Sequence, residues 1–211
     1  AVHLGVSSRY RAARLPERTE TVRRLLDDKA DNYILSVATF EPRKRIEQAI
    51  LAHARLCERG PQPALVLVGA RGWRNEALHD LIDRQRSRGA LVMLGQVAEA
   101  DLPDLYAGAR LFLYPSIYEG FGLPPIEAMA SGVPTIVSNR SCLPEVTQGA
   151  AMMIDPDDLD AFVVAIDQGL EDDNWRREAI DRGLRVAAGY TWEKCIENTV
   201  DVYRNVWARH N

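Results

Sequence analysis

A chain of 211 residues, 46% hydrophobic and 27% charged, carries enough apolar material for one large domain or two small ones and reads as an ordinary α/β protein. A net charge of −4 argues against a dedicated nucleic-acid binder, and no stretch approaches the ~20 apolar residues of a membrane span. The cysteines (Cys57, Cys142, Cys195) and histidines (His3, His53, His79, His210) are scattered, which argues against a disulfide framework or metal centre and for a reducing, cytoplasmic setting.

In chain order, residues 1–6 alternate weakly and predict a short strand or the tail of one. The opening AVHLGVSS has no charged region and no long apolar run, so it is not read as a signal peptide. Residues 9–29, with Arg9, Arg11, Arg14, Arg18, Arg23 and Arg24, predict a solvated linker and a short polar helix. Residues 33–37 form a buried-strand pattern, and residues 44–58 carry Ile46, Ala49, Ile50, Ala54 and Leu56 at helical spacing before Gly60-Pro61. The unit repeats as an apolar run at 64–68, a Gly-containing turn and an amphipathic stretch at 76–88. Further strands are expected at 91–94, 111–114, 135–137 and 151–154, with helices at 102–109, 157–170, 174–187 and 192–207. Thr191, with Lys194 three residues on, makes an N-cap without a full capping box. Short apolar strands alternating with helices mean βαβ crossovers. The expectation is a doubly wound, Rossmann-like parallel sheet of about six strands with helices on both faces, residues 31–211 forming that domain and residues 1–30 leading into it.

Three stretches fall just after strand ends, where such a fold binds ligands. In the first, 39–44, Pro42 holds Glu41 extended, so Arg43 and Lys44 are expected to open the next helix. Cations there oppose the helix dipole, and a bound phosphate would supply the reason for them. In the second, Gly95 precedes Gln96 and Val97 and lets the backbone approach a flat ligand. The third is YPSIYEGFGLPPIEAMASGVP, residues 114–134. Gly120 and Gly122 leave backbone N–H groups free to face a pocket, and Pro124 or Pro125 suits a first helical turn. Glu127 is expected within that turn and Glu119 on the loop before it. A carboxylate accepts two hydroxyl hydrogen bonds at once, which suits a sugar diol. A G-x-G-x-x-G fingerprint fails because Pro125 stands at its third glycine, and no Walker A, G-x-S-x-G or H-E-x-x-H occurs.

EGFGLPPIE resembles the E-x7-E signature of the retaining glycosyltransferases of the GT-B fold, in the large family usually numbered four (glycosyltransferase group 1). SVATFEPRK, LVLVGA, LGQVAEADLPDLYAGARLFLYPS, EAMASGVPTIVSNRSCLPEV and YTWEKCIENTVDVYRNV agree in order. The resemblance is to the C-terminal, nucleotide-sugar-binding domain, and VHLGVSSRYR looks like the segment entering it from an absent N-terminal acceptor domain. It implies that Glu127 holds the ribose hydroxyls, Glu119 the donor sugar, and the amides of Gly120, Phe121, Gly122 and Leu123 the sugar and diphosphate. Lys44 then neutralises the leaving diphosphate with Arg43 as helper, and Gln96 and Val97 meet the base. Many members have Gly-Arg where this chain has Ala38-Thr39, so Thr39 offers a neutral hydrogen bond where they offer charge.

The implied activity is hexosyl transfer, mannosyl favoured, from a nucleotide diphosphate sugar to a saccharide or lipid-linked acceptor in bacterial surface polysaccharide synthesis. GDP-mannose is the favoured donor, and neither a metal nor a further cofactor is expected. The full protein would be cytoplasmic, with a peripheral membrane association compatible with its acceptor. The isolated domain is expected to bind nucleotide without efficient transfer. The alternative is a non-catalytic module that binds a nucleotide sugar or a partner.

Overall fold

The computed structural model describes residues 2–10, 20–27, 32–70, 72 and 76–210. Its elements are α1 (Glu20–Leu26), β1 (Tyr33–Val37), α2 (Ile46–Cys57), β2 (Ala64–Val68), α3 (Glu76–Arg86), β3 (Leu91–Gly95), α4 (Leu102–Ala107) and β4 (Leu111–Tyr114). They continue as α5 (Leu123–Ala130), β5 (Thr135–Ser138), α6 (Leu143–Thr147), β6 (Met152–Ile154), α7 (Leu159–Glu171), α8 (Asp173–Ala187) and α9 (Trp192–His210).

The six strands form one parallel sheet in the order β3-β2-β1-β4-β5-β6. The apolar runs explain the arrangement: a strand covered on both faces has no polar side to alternate with. Ile34, Leu35, Leu65, Val66, Leu67, Leu111, Phe112 and Leu113 are accordingly inaccessible to solvent. The central register sets Ile34 beside Leu111 and Leu35 beside Phe112. Because β2 and β3 lie on one side of β1, and β4, β5 and β6 on the other, the loops leaving β1 and β4 diverge and open a crevice at the strands' carboxyl ends.

Main-chain hydrogen bonds stitch the loops on one side of that crevice together. Ala38 N donates to Val68 O (3.0 Å), Phe40 N to Ala70 O (3.0 Å) and Gly69 N to Gly95 O (2.8 Å). Gly69 has φ of +147°, and a Cβ there would stand 1.8 Å from the carbonyl oxygen of Ala38. The position admits only glycine.

Four expectations are corrected. Residues 2–6 form no strand; Val6 N donates instead to the Tyr190 carbonyl (2.9 Å). That close pass needs Gly5, whose Cβ would meet Trp192 N at 2.3 Å. The polar helix α1 is not merely solvated: Val22 and Leu26, one turn apart, enter the core, while Arg24 pairs with Asp101 at 2.9 Å. Arg11, Arg14 and Arg18 lie outside the described residues. Arg43 and Lys44 do not open α2: they belong to a 3-10 turn, Pro42–Lys44, closed by Arg45 in the left-handed region (φ 51°). Finally, α6 has no counterpart among the expected helices, being a single turn after Pro144 enters a short apolar run. The Thr191 cap is observed, with Lys194 N donating to Thr191 Oγ1 at 3.2 Å. No helix among the described residues is long and apolar enough to cross a membrane.

Replacing Gly69 by Ala is expected to destabilise the domain by at least about 2 kcal/mol, through forced separation of two strand-end loops. Urea unfolding at neutral pH reads this directly, and an unchanged midpoint would contradict the close-packed crossing.

Candidate active site

A cleft of about 760 Å³ lies at the crevice between the loops following β1 and β4. Its lining includes Thr39 and Lys44 after β1, Gly69 and Ala70 after β2, Gln96 and Val97 after β3, and Glu119, Phe121, Gly122 and Leu123 after β4. Eight of the residues anticipated from sequence thus meet in one hollow. Arg43, Gly120 and Glu127 do not line it. Leu4 of the N-terminal segment, Tyr114 and Pro124 do.

The charged end of the cleft is a triangle. Lys44 Nζ donates to Glu119 Oε1 (2.6 Å) and to the Tyr114 hydroxyl (2.8 Å), and that hydroxyl donates to the same Oε1 (2.9 Å). The side chains of Lys44 and Glu119 are each only 9% exposed. Tyr114 ends a fully buried strand, so its ring is fixed in the core while its hydroxyl reaches the sheet edge. Lys44 arrives from the opposite loop because the 3-10 turn shortens that connection. An ammonium has three protons to donate; with two engaged, one stays available to a ligand in the cleft.

Arg43 braces the same corner from outside. Its guanidinium donates to Glu41 Oε2 (2.9 Å), to the Tyr118 carbonyl (2.8 Å) and to Glu119 Oε2 (3.4 Å). Ile117 N donates back to the Arg43 carbonyl (2.9 Å), tying the two loops by main chain as well. Ser141 Oγ accepts from Glu119 N (3.2 Å) and donates to Glu119 O (3.0 Å), fixing the glutamate's backbone. Burial alone would raise the Glu119 pKa, but hydrogen bonds from Lys44, Ser116 and Tyr114 outweigh it and hold the carboxyl below its usual range. Burial opposes the Arg43 charge too; the nearby Glu119 and Glu41 win, and its pKa is raised. The Tyr114 phenol is pushed up by burial and by the adjacent Glu119.

The second carboxylate has a different environment. Helix α5 begins at Leu123, with Gly122 as its cap in the left-handed region (φ 85°). Both Pro124 and Pro125 therefore occupy the first turn, and Glu127 falls in the second, not the first as its spacing suggests. Since neither proline carries an N–H, the free donors at this end are concentrated in the loop from Gly120 to Leu123. Tyr106 of α4, completely buried, donates to Glu127 Oε2 at 3.0 Å. Tyr10 of the N-terminal segment interacts with the same carboxylate and sets its ring edge-on to Tyr106, centroids 5.5 Å apart. Burial raises the Glu127 pKa, and the two phenols only partly offset it.

Sequence reasoning misses Tyr10, Tyr106 and Tyr114. Tyr114 carries a usable signal, a hydroxyl-bearing residue at the last position of an apolar strand. Tyr106 reads as one more apolar position of a helix, and nothing local connects Tyr10 to Glu127.

Comparison with known proteins gives a consistent neighbourhood. The family model described as glycosyl transferases group 1 matches residues 17–186. O-antigen chain mannosyltransferase B of Escherichia coli is 45% identical over 173 residues, covering 82% of this chain and 45% of that protein. The serotype-specific mannosyltransferase WbdA of Escherichia coli is 35% identical over 176 residues, 81% of this chain and 21% of that one. The chain thus spans less than half the length of these curated relatives. Among solved structures, a sucrose-phosphate synthase from Thermosynechococcus elongatus superposes with a TM-score of 0.80 at 27% identity, over 98% of this chain and 52% of its own. The C-terminal domain of a group 1 glycosyl transferase (LpcC) from Francisella tularensis shares the fold, with TM-score 0.73 at 20% identity over 88% of this chain and 97% of that one.

Removing Lys44 leaves Glu119 with the Tyr114 hydroxyl and the longer Arg43 contact at 3.4 Å. Because those contacts remain, Lys44→Met is expected to lower stability by no more than about 3 kcal/mol, the low end for breaking a buried pair, and Lys44→Met with Glu119→Gln to recover part of that, as measured by urea unfolding. The Glu119 carboxyl has its pKa depressed in the folded state, so its stabilisation is present above the ordinary value of about 4.3 and is lost as pH falls through the folded value. Glu119→Gln should therefore flatten the loss of stability as pH falls below about 4.3; an unaltered acid limb would contradict the assignment.

Proposed function

Because this chain belongs to the group 1 glycosyl transferases and has the Rossmann-like architecture of their C-terminal domain, we propose that it is the donor-binding domain of a retaining hexosyltransferase. Its ligand is a nucleotide diphosphate sugar. The observation that carries this reading is the Lys44–Glu119 pair set at one end of a cleft whose other end is lined by uncharged backbone and by Gln96 and Val97. Such a cleft has a place for negative charge and, beyond it, a place for a flat neutral group.

The chemistry follows from the charges. As the bond from the anomeric carbon to the diphosphate oxygen breaks, negative charge accumulates on the departing diphosphate, and a fixed cation in a partly desolvated site stabilises it most. Lys44 supplies that cation through its unengaged proton. Arg43 contributes indirectly: by sharing Glu119 it leaves Lys44 incompletely neutralised. Backbone N–H groups of residues 120–123 add dipoles aimed at the sugar and phosphates, with Glu119 taking sugar hydroxyls. Thr39 lines the cleft and gives the phosphates a neutral donor. Glu127, beyond the diphosphate, takes the ribose diol.

The O-antigen and serotype-specific mannosyltransferase relatives favour mannose, hence GDP-mannose as the donor. A saccharide or lipid-linked acceptor in surface polysaccharide synthesis completes the reading, held by a further domain outside this chain. The full protein would then work in the cytoplasm, at the membrane periphery. The 211-residue chain is expected to bind nucleotide with little transfer of its own.

Two measurements test the assignment. Glu127→Ala should weaken nucleotide binding by about 1–3 kcal/mol, the scale of hydrogen bonds to a charged group; calorimetry returning the unaltered affinity for both GDP and UDP would remove the ribose role. With the fold of Lys44→Met checked by circular dichroism, its affinity for GDP should fall more than its affinity for GMP. Equal losses would argue against a contact with the diphosphate.

A further inference from the structure

We propose that Ser141, on the turn after β5, is a positioning residue that aims Glu119 at the donor sugar. The inference rests on the donor-site reading above and extends it to a residue that does not line the cleft.

A hydroxyl can accept and donate at once, and Ser141 uses both capacities on a single residue. Its Oγ accepts from Glu119 N at 3.2 Å and donates to Glu119 O at 3.0 Å. Those two atoms belong to the two peptide planes that meet at the Glu119 Cα. Fixing both planes fixes the two soft torsions between them, and with them the direction in which the side chain leaves the backbone. The Cys142 thiol donates to the same carbonyl at 3.4 Å. Because the peptide is trans, the N–H of Gly120 then points away from this turn. A Cβ at Gly120 would meet nothing within 4 Å, so crowding does not restrain the chain just beyond Glu119, and the hydrogen bonds to Ser141 and Cys142 do.

The turn that supplies Ser141 is itself tied to the sheet. Asn139 N donates to the Ile154 carbonyl at 2.8 Å, extending the β5–β6 ladder, and Arg140 N donates to Oγ of the buried Ser138 at 3.0 Å. The Arg140 guanidinium reaches both oxygens of Asp155, at 3.0 and 2.9 Å. Leu143, two residues on, is inaccessible to solvent and packs under the same loop: a Cβ at Gly122 would stand 2.8 Å from its Cδ2. Ser141 is exposed and holds φ of 57°, a left-handed conformation uncommon for a residue other than glycine. It buries little, so its two hydrogen bonds to Glu119 are its main contribution. Sugar hydroxyls at the Glu119 carboxylate compete with Lys44 and Tyr114 for its oxygens, whereas the bonds to Ser141 use main-chain atoms and persist.

The test measures GDP-mannose and GMP by calorimetry on the unaltered chain, Ser141→Gly and Ser141→Ala. Both variants lose the hydroxyl but make opposite demands on a left-handed residue, which glycine adopts freely and alanine does not. An effect common to both therefore belongs to the hydroxyl. Each is expected to weaken GDP-mannose about 3- to 10-fold, the net worth of about one hydrogen bond, and to leave GMP unchanged. The urea midpoint of Ser141→Gly should move little; if Ser141→Ala does not fold, Ser141→Gly alone decides. Equal weakening of both ligands would show a merely structural role, and a loss confined to one folded variant would trace to backbone conformation. Either result overturns the inference. The unaltered chain separates the two levels. If it prefers GDP-mannose to GMP and the variants keep that preference in full, the side-chain ties alone place Glu119, and this inference alone fails. If it shows no such preference, or binds neither ligand, the donor reading fails and takes this inference with it.

Discussion

Everything at the carboxyl edge of the sheet is referred to one buried ion pair. Lys44 and Glu119 come from loops that leave adjacent strands in opposite directions, and their attraction, with the main-chain bond from Ile117 N to the Arg43 carbonyl, sets the width of the crevice. The pair is costly to desolvate. Its compensation is local: Tyr114 closes the triangle, Arg43 takes the second carboxylate oxygen, and Ser141 holds the backbone of Glu119. A pair so thoroughly satisfied positions more than it stabilises. It presents a cation with one free proton to a cleft of ligand size.

The two glutamates of the E-x7-E stretch illustrate how environment divides labour between identical groups. Glu119 is surrounded by donors that prefer its charged form, and its pKa falls. Glu127 sits between helices among phenols, where burial dominates, and its pKa rises. The first is held by Lys44, Arg43 and Tyr114. The second keeps acceptor positions that the protein does not fill. A sequence shows only the spacing between like carboxylates; it is the turn geometry and the neighbouring side chains that give the two opposite pKa directions.

Much of the architecture is legible in the sequence because it is written in local patterns. Apolar runs at residues 33–37, 64–68 and 111–114 match the observed strands residue for residue, since a doubly covered strand has no other way to read. The ligand-facing loops are legible for the same reason: each begins where a strand ends. Departures occur where a local signal is decided by a distant contact. The N-terminal segment alternates like a strand, but its hydrogen-bond partner is the Tyr190 carbonyl, between two helices. Arg43 and Lys44 read as helix residues until Pro42 and the left-handed Arg45 are placed. Glu127 lies a turn later than its spacing suggests because both prolines, not one, enter the helix. Tyr10 has no local signal at all; it is placed by packing its ring on Tyr106, far along the chain.

The stitching of the loops after β1, β2 and β3 by main-chain bonds has a mechanical consequence. Those bonds continue the sheet's own ladder, so that side of the cleft can yield only by fraying strand ends. The opposite side, residues 115–122, is held by one main-chain bond, Ile117 N to the Arg43 carbonyl, and otherwise by side-chain hydrogen bonds of Arg43, Lys44, Ser116 and Ser141. Side-chain bonds can be traded for a ligand's without unravelling anything. The cleft thus has one wall fixed mainly by backbone and one fixed mainly by side chains, and the second is the easier to displace.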